Sequence, residues 1–399
     1  MFFRCIAFFI FGFLIVSCGE SSEKQNENKI KTDTLSVIKT DTVSINRICI
    51  NDSLNQLANL IAGNKSIDSS LLVNYFKNAT FLKHCTSFQA KWENFQKTRL
   101  QNLIGFQQNE INKEMDSTSV LFYPFSGPDI LHAQTFFPNA NHYVLMGLEP
   151  VGTLPVFEHL EDVPDSMSNY YGKINKSLHA ILNFSFFRTN SMSEDLKNED
   201  VDGTLHLLLL FLNRNGNTIC SVKPFVLDSS GTINYLNSFV DLKSKNALSK
   251  GIEITFNNLE KKQKKLHYFS LDLSNAAYDK NSAVQKYLNQ LGSVTTYLKG
   301  ASYLMHNAGF SSVRDFILTK SNQVMQDDSG IAFRFFEKNK NWKYVFYGEY
   351  KKPISLFANR FQVDLDSMFK TATPKKLGFG LGYNFKDNNS NLMIAKKIK

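Results

Sequence analysis

Ser119-Val120-Leu121-Phe122-Tyr123-Pro124-Phe125, then Ser126-Gly127-Pro128-Asp129, then Ile130-Leu131-His132-Ala133 and, beyond Pro138-Asn139, Tyr143-Val144-Leu145-Met146-Gly147-Leu148: this stretch decides the fold. The first run is apolar and rich in residues that favour strands. The four residues after it punctuate the chain. Pro suits the first helical position, and Ser and Asp suit the cap and first turn. A short helix follows until Pro138-Asn139 closes it, and a second apolar strand begins at Tyr143. Strand, short helix and strand predict a parallel βαβ unit, close to the minimum crossover length. The fold class expected is α/β, a mixed sheet with flanking helices.

Working outward, the periodicity predicts further elements. A helical block holds Leu178, Ile181, Leu182, Phe186 and Phe187. Leu205 to Leu212 and Thr218 to Leu227 read as strands about Asn213-Arg214-Asn215-Gly216-Asn217, since Asn-Gly favours hairpin turns. Gly251 to Phe256 and Leu266 to Leu273 read as a second hairpin. Ala283 to Leu291, Ser293 to Met305 and Val313 to Val324 read as helices. Ile331 to Phe336 and Trp342 to Tyr350 read as strands, Ile354 to Phe361 as a helix and Leu377 to Phe385 as the last strand.

Toward the amino terminus, residues from Asp52 to Lys113 show helical spacing. Leu71, Leu72, Tyr75 and Phe76 form one face; Trp92, Phe95, Leu100, Leu103, Ile104 and Phe106 form another. Packing on the sheet is the use expected of it, with Lys91, Lys97 and Arg99 offering a membrane surface as the alternative. Residues 18–46 are polar and too poor in apolar side chains to fold alone, so they read as a flexible tether. The organisation expected is 1–17 leader, 18–46 tether, 47–115 helical segment packed on the body and 116–399 one α/β domain.

The chain has 399 residues, 35 Phe against two Trp, and a net charge of +9. That balance suits anionic partners such as a glycolipid, although Lys and Asn abundance explains it as simply. Besides Cys18, the cysteines beyond the leader are Cys49, Cys85 and Cys220, without CxxC spacing; one pair bridging or three separate thiols both remain open. The histidines show no HExxH spacing, so no metal and no cofactor is expected.

Ser126 and Gly127 leave a strand for a helix and are anion-binding candidates. Ser126, Asp129 and His132 are weak catalytic candidates at the same strand end, and Asp327 and Asp328 in Gln326-Asp327-Asp328-Ser329-Gly330 are two more. Capping at the first and a helix-ending turn at the second are the plainer readings. Ser126 lacks the GxSxG setting of a nucleophile elbow. Asp200-Val201-Asp202-Gly203-Thr204 imitates a phosphatase signature but follows a polar stretch, so it reads as a turn. Glu149-Pro150-Val151-Gly152 reads first as a turn, and Lys261-Lys262-Gln263-Lys264-Lys265 as a solvated one.

The first residues, Met1-Phe2-Phe3-Arg4 and an apolar run from Cys5 to Val16, describe a secretory signal too short to span a bilayer. Ile15-Val16-Ser17-Cys18 resembles the lipobox of bacterial lipoproteins, with Ile15 where Leu is commonest. The resemblance implies a diacylglycerol thioether on Cys18, cleavage after Ser17 and a further acyl (palmitate-type) chain. Gly19, by analogy with enterobacterial sorting, implies transfer to the outer membrane of the cell envelope, with a periplasmic or an outward-facing body both open. Tyr123 to Ala133 with Phe136-Phe137-Pro138, Tyr143 to Gly152, and Gln326 to Gly330 resemble stretches of an uncharacterised family of bacterial envelope proteins. That resemblance implies an envelope α/β body and lends no activity.

These readings together lead us to expect a lipid-anchored envelope protein that binds or scaffolds an envelope component. Its partners would be the membrane, through Cys18, and an envelope protein or anionic glycolipid, but no nucleic acid. The alternative is an envelope hydrolase or transferase acting on a glycan, lipid or phosphate ester.

Overall fold

The computed structural model describes residues 52–65, 73–155, 165–184, 201–244, 249–338, 341–385 and 390–398. The expected leader and tether with Cys18, and Cys49, Leu71, Leu72, Phe186, Phe187 and Asp200, lie outside them. From Asn46 to Lys399 the chain is one compact unit.

Ten strands form one sheet: β1 (Val120–Tyr123), β2 (His142–Gly147), β3 (Thr218–Leu227), β4 (Ile233–Tyr235), β5 (Lys250–Asn257), β6 (Gln263–Ser270), β7 (Val294–Leu298), β8 (Ser321–Gln326), β9 (Trp342–Gly348) and β10 (Asn391–Lys397). They lie in the order β4-β3-β5-β6-β2-β1-β7-β8-β10-β9. β6, β2, β1, β7 and β8 are mutually parallel, and β10 runs antiparallel to both β8 and β9. Counted alone, the seven strands from β6 to β9 have the order 3-2-1-4-5-7-6. That is a doubly wound sheet with one antiparallel strand inserted near its edge. β5, β3 and β4 extend the other edge as antiparallel neighbours.

Side-chain alternation divides the core. Leu121 and Tyr123 of β1 join the apolar layer that holds the amino-terminal helices, the Ile130–Phe136 helix and the Leu205–Arg214 helix. Phe122 between them joins the opposite layer, with Val284, Leu288, Val313, Ile317, Phe333 and Phe369. Each such buried Leu, Ile or Phe contributes about 1.5–3 kcal/mol. Helices on both faces bury the central strands from both sides, and all five residues of β7 are buried, Thr295 and Thr296 among them.

The parallel βαβ unit is present as expected, with Val120 beside His142 and Tyr123 beside Leu145. So are the helical amino-terminal part and the β5–β6 hairpin. Several elements differ from the sequence reading. Leu205 to Leu212 is helix, not strand, and every residue of it is buried. A run apolar on all sides carries no period with which to tell the two apart. The Asn-Gly pair closes this helix instead of turning a hairpin. Gly216 N–H donates to Asn213 O at 2.9 Å and Asn217 N–H to Leu212 O at 3.0 Å, the paired bonds of a Schellman cap. Ser293 to Met305 is not a helix but β7 and a turn; its Val294, Thr295 and Thr296 are β-branched. The helix expected from Val313 to Val324 is Ser311–Lys320, and β8 starts at the next residue. Ile331 to Phe336 is no strand; Phe333–Glu337 is a short helix. The last strand is β10 and not Leu377 to Phe385, where only a single 3-10 turn, Gly382–Asn384, forms. The Val363–Thr371 helix was not foreseen.

Candidate ligand-binding site

In a doubly wound sheet ligands enter where successive connections leave in opposite directions, outside the strands' carboxyl ends. Here that point is β1. The chain moves from β1 to β2 and β6 on one side, then to β7 and β8 on the other. A cavity of about 720 Å³ opens there. Its floor is Tyr123 and the loop Phe125, Ser126, Gly127 and Asp129. Leu148, Glu149, Leu271, Asp272 and Leu273 form one wall; Lys299 to Ser302, Leu304, Phe310, Ile354, Leu356, Phe357 and Tyr383 form the other.

Two glycines shape the first wall. A Cβ at position 147 would stand 2.5 Å from Glu149 Oε2 and 3.0 Å from the Gly127 Cα; one at position 127 would stand 3.5 Å from Glu149 Oε2. Gly127 also has φ of 53°, which side chains rarely adopt. The β1 loop and the β2 end therefore touch through backbone, and the Glu149 carboxylate occupies the room this creates. Glu149 is buried, and its carbonyl accepts from Tyr268 Oη at 2.9 Å. Sequence reasoning read Glu149 as part of a turn. The available signal was an acid at the end of the second strand, about 20 residues after the glycine turn.

Beneath the floor lies a buried charge cluster. Asp129 caps the Ile130–Phe136 helix by accepting from His132 N at 3.2 Å. Its other oxygen takes Lys299 Nζ at 2.5 Å and Tyr123 Oη at 2.9 Å. His132 Nδ1 is 2.9 Å from Asp129 and 3.1 Å from Lys299 Nζ. Burial alone raises the Asp129 carboxyl, but His132 and Lys299 outweigh it and hold the group below the usual range. Burial drops His132 to about 4 and lowers Lys299. The cluster is thus an Asp129–Lys299 ion pair with a neutral histidine beside it.

Ser126 is brought to the same cavity but not to that cluster. Its Oγ donates to Gly127 O at 2.9 Å and Met146 O at 3.3 Å. His142 stands elsewhere, 3.0 Å from His267. Asp327 accepts from Gly300 N at 2.9 Å beneath the second wall, and Asp328 accepts from Tyr303 Oη at 2.6 Å and Asn391 Nδ2 at 2.9 Å. Burial raises both carboxyls. So Asp129 and His132 are united, Asp327 and Asp328 form a neighbouring pair, and Ser126 meets neither.

Several donors of the β1 loop are engaged within the fold. Pro128 has no N–H, the Ser126 N–H donates to Met146 O, Ile130 N–H to Pro128 O, and His132 N–H to Asp129. Backbone strain gathers at this crevice. Of the non-glycine residues with positive φ among those described, Phe125, Ser302 and Tyr303 surround it.

Other residues singled out in the sequence have structural places. Asp202 and Gly203 abut Gly152, and a helix follows them. The lysine-rich turn is not wholly solvated: Lys264 is buried, its amine donating to Pro138 O at 2.8 Å and Ala140 O at 2.6 Å. Trp92 is buried and Arg99 turns inward to Leu182 O and Gly380 O, so this helix packs on the body. Cys85 is free and buried, whereas Cys220 is in a disulfide. Among the described residues, no group of His, Cys, Asp and Glu is placed to hold a metal, and no helix is long and apolar enough to cross a membrane.

No family model, curated protein or solved structure compared with this chain matches it.

Proposed function

We propose that this chain is a lipid-anchored envelope protein whose α/β body binds a nucleoside-type ligand without phosphate groups. The observation that carries the binding half is the Glu149 carboxylate, seated between Gly127 and Gly147 at the switch point. An acid in that position of a doubly wound sheet accepts hydrogen bonds from ribose hydroxyls. Beside it, Leu148, Leu271 and Leu273 offer apolar contact for a flat base, and Asp272, which accepts from Ser274 N and Oγ, keeps lone pairs for an exocyclic amine. The argument against phosphate is electrostatic. The Ser126, Ile130 and His132 N–H groups are already engaged, Lys299 is paired with Asp129, and the remaining ionisable side chains of the lining, Glu149 and Asp272, are acids. A neutral or cationic nucleoside suits this wall; a nucleotide does not.

The anchoring half rests on the sequence at Cys18, and the Cys220 disulfide is consistent with an oxidising compartment. A serine at position 18 should release the protein from membranes and block its processing; unchanged partitioning would remove this half. For the binding half, calorimetric titration with adenosine and S-adenosylmethionine, against ATP and NAD as phosphate-bearing controls, is the test. Saturable heat with either of the first two, weakened at least tenfold by Glu149→Gln, is expected. Binding of the controls alone would overturn the reading.

A further inference from the structure

Both acids of the crevice's outer walls, Glu149 and Asp272, lie on one side. The opposite wall carries Lys299, Ser302 and the Tyr383 hydroxyl, which are engaged with Asp129, with each other and with Gly300 O, and is otherwise apolar and aromatic. Tyr303, Phe357 and Tyr383 form a ring cluster, with centroids 4.9 Å apart for Tyr303 and Phe357 and 5.0 Å for Phe357 and Tyr383. Leu304, Phe310 and Ile354 continue it. This wall is fixed, not loosely draped. Tyr383 Oη donates to Gly300 O at 2.8 Å and lies 2.7 Å from Ser302 Oγ, which ties it to the strained turn after β7.

At the mouth, Leu148 is 63% exposed and Leu356 76% exposed, and both line the cavity. Standing beside the apolar lining, these two side chains extend its surface toward the opening, where an apolar ligand could cover them. Lys352, exposed at the start of the segment that carries Ile354 and Phe357, and the net charge of +9 complement an anionic head group.

We infer that the apolar half of the crevice binds the acyl chain of an anionic amphiphile, whose head group stays at the lysine-bearing lip. The inference takes from the preceding reading only that the crevice is a ligand site. It adds a second occupant beside the nucleoside. The chain lies along Leu304, Phe310 and Phe357, and Leu148 and Leu356 close over it at the mouth. Two sources share this chemistry, a free fatty acid and an anionic phospholipid.

The test uses dansyl-undecanoic acid, whose emission rises in an apolar site, titrated into the whole protein. Saturable binding is expected, weakened at least tenfold by Ile354→Asp with Phe357→Asp, and several-fold by the exposed-site change Leu356→Lys, which leaves the core untouched. Displacement by phosphatidylglycerol would identify a phospholipid as the occupant. Displacement by lauric acid and not by phosphatidylglycerol would identify a free fatty acid; both support the proposal. Absence of saturable binding, or probe binding that these wall variants leave unchanged, would overturn it. Adenosine titrated without the probe into Leu356→Lys should bind as it does to the unchanged protein, so failure of the nucleoside reading is distinguishable from failure of this one.

Discussion

Two buried acid–histidine clusters sit on the same sheet with almost the same composition and opposite prospects. One is Asp129, His132, Lys299 and Tyr123 under the crevice. The other is Glu253, His267, His142 and Tyr287 on β5, β6, β2 and the Ser282–Gln290 helix. In the second, His267 Nε2 is 2.8 Å from Glu253, and Tyr287 Oη and His142 Nε2 lie 2.5 and 3.0 Å from His267 Nδ1. Tyr235 also donates to Glu253 at 2.9 Å. Burial alone raises the Glu253 carboxyl, but His267 and Tyr235 pull it down to about 2. Tyr123, Asp129 and Lys299 of the first line the crevice, whereas none of Glu253, His267, His142 and Tyr287 does. A buried acid beside a histidine therefore marks no site by itself; its place at strand carboxyl ends does.

The comparison breaks hardest at Lys299. Lys299→Met leaves Asp129 buried without its cation and should cost about 3–5 kcal/mol in urea unfolding. A loss below about 1 kcal/mol would mean that the ion pair is not formed as described.

Acidification probes both clusters at once. His84, His132 and His206 are each lowered to about 4 by burial, and His142 to about 3. The unfolded chain takes up these protons near pH 6.5, so stability falls as pH drops from about 7 toward 4. At pH 5 each of His84, His132 and His206 contributes up to about 2 kcal/mol of that loss. Asp327 and Asp328, raised by burial, work in the opposite direction, because their protonation on acidification relieves the fold. Melting temperature measured between pH 7 and 5 should fall; a flat profile would contradict neutral buried histidines.

Glu253→Gln should cost about 1–2 kcal/mol through weakened bonds to His267 and Tyr235, with ligand binding in the crevice unchanged. Melting temperature and titration together check it. Glu149→Gln should instead act on binding, with nucleoside affinity reduced at least tenfold.

Legibility in the sequence followed the same division. The βαβ unit was readable because Pro128, Asp129 and Pro138 punctuate it and its strands are short apolar runs. Leu205 to Leu212 was not, because an all-apolar run has no face to show. β8 was absorbed into the preceding helix because neither Gly nor Pro separates Lys320 from Ser321. At the crevice, Ser126, Gly127 and Asp129, with His132 bonded to Asp129, were singled out from their place after β1. Lys299 and Glu149 were missed for different reasons. Lys299 reaches Asp129 from a distant strand, and nothing local couples them. Glu149 had a local signal in its spacing from Gly127, but that signal has weight only once β1 and β2 are known to be parallel neighbours.

A crystal structure of the protein soaked with S-adenosylmethionine or adenosine tests the central claim most directly. The ribose hydroxyls should lie within hydrogen-bond distance of the Glu149 carboxylate, with the base between Leu148 and Leu273. A nucleoside seated elsewhere in the fold, or a crevice that stays empty at saturating ligand, would contradict it.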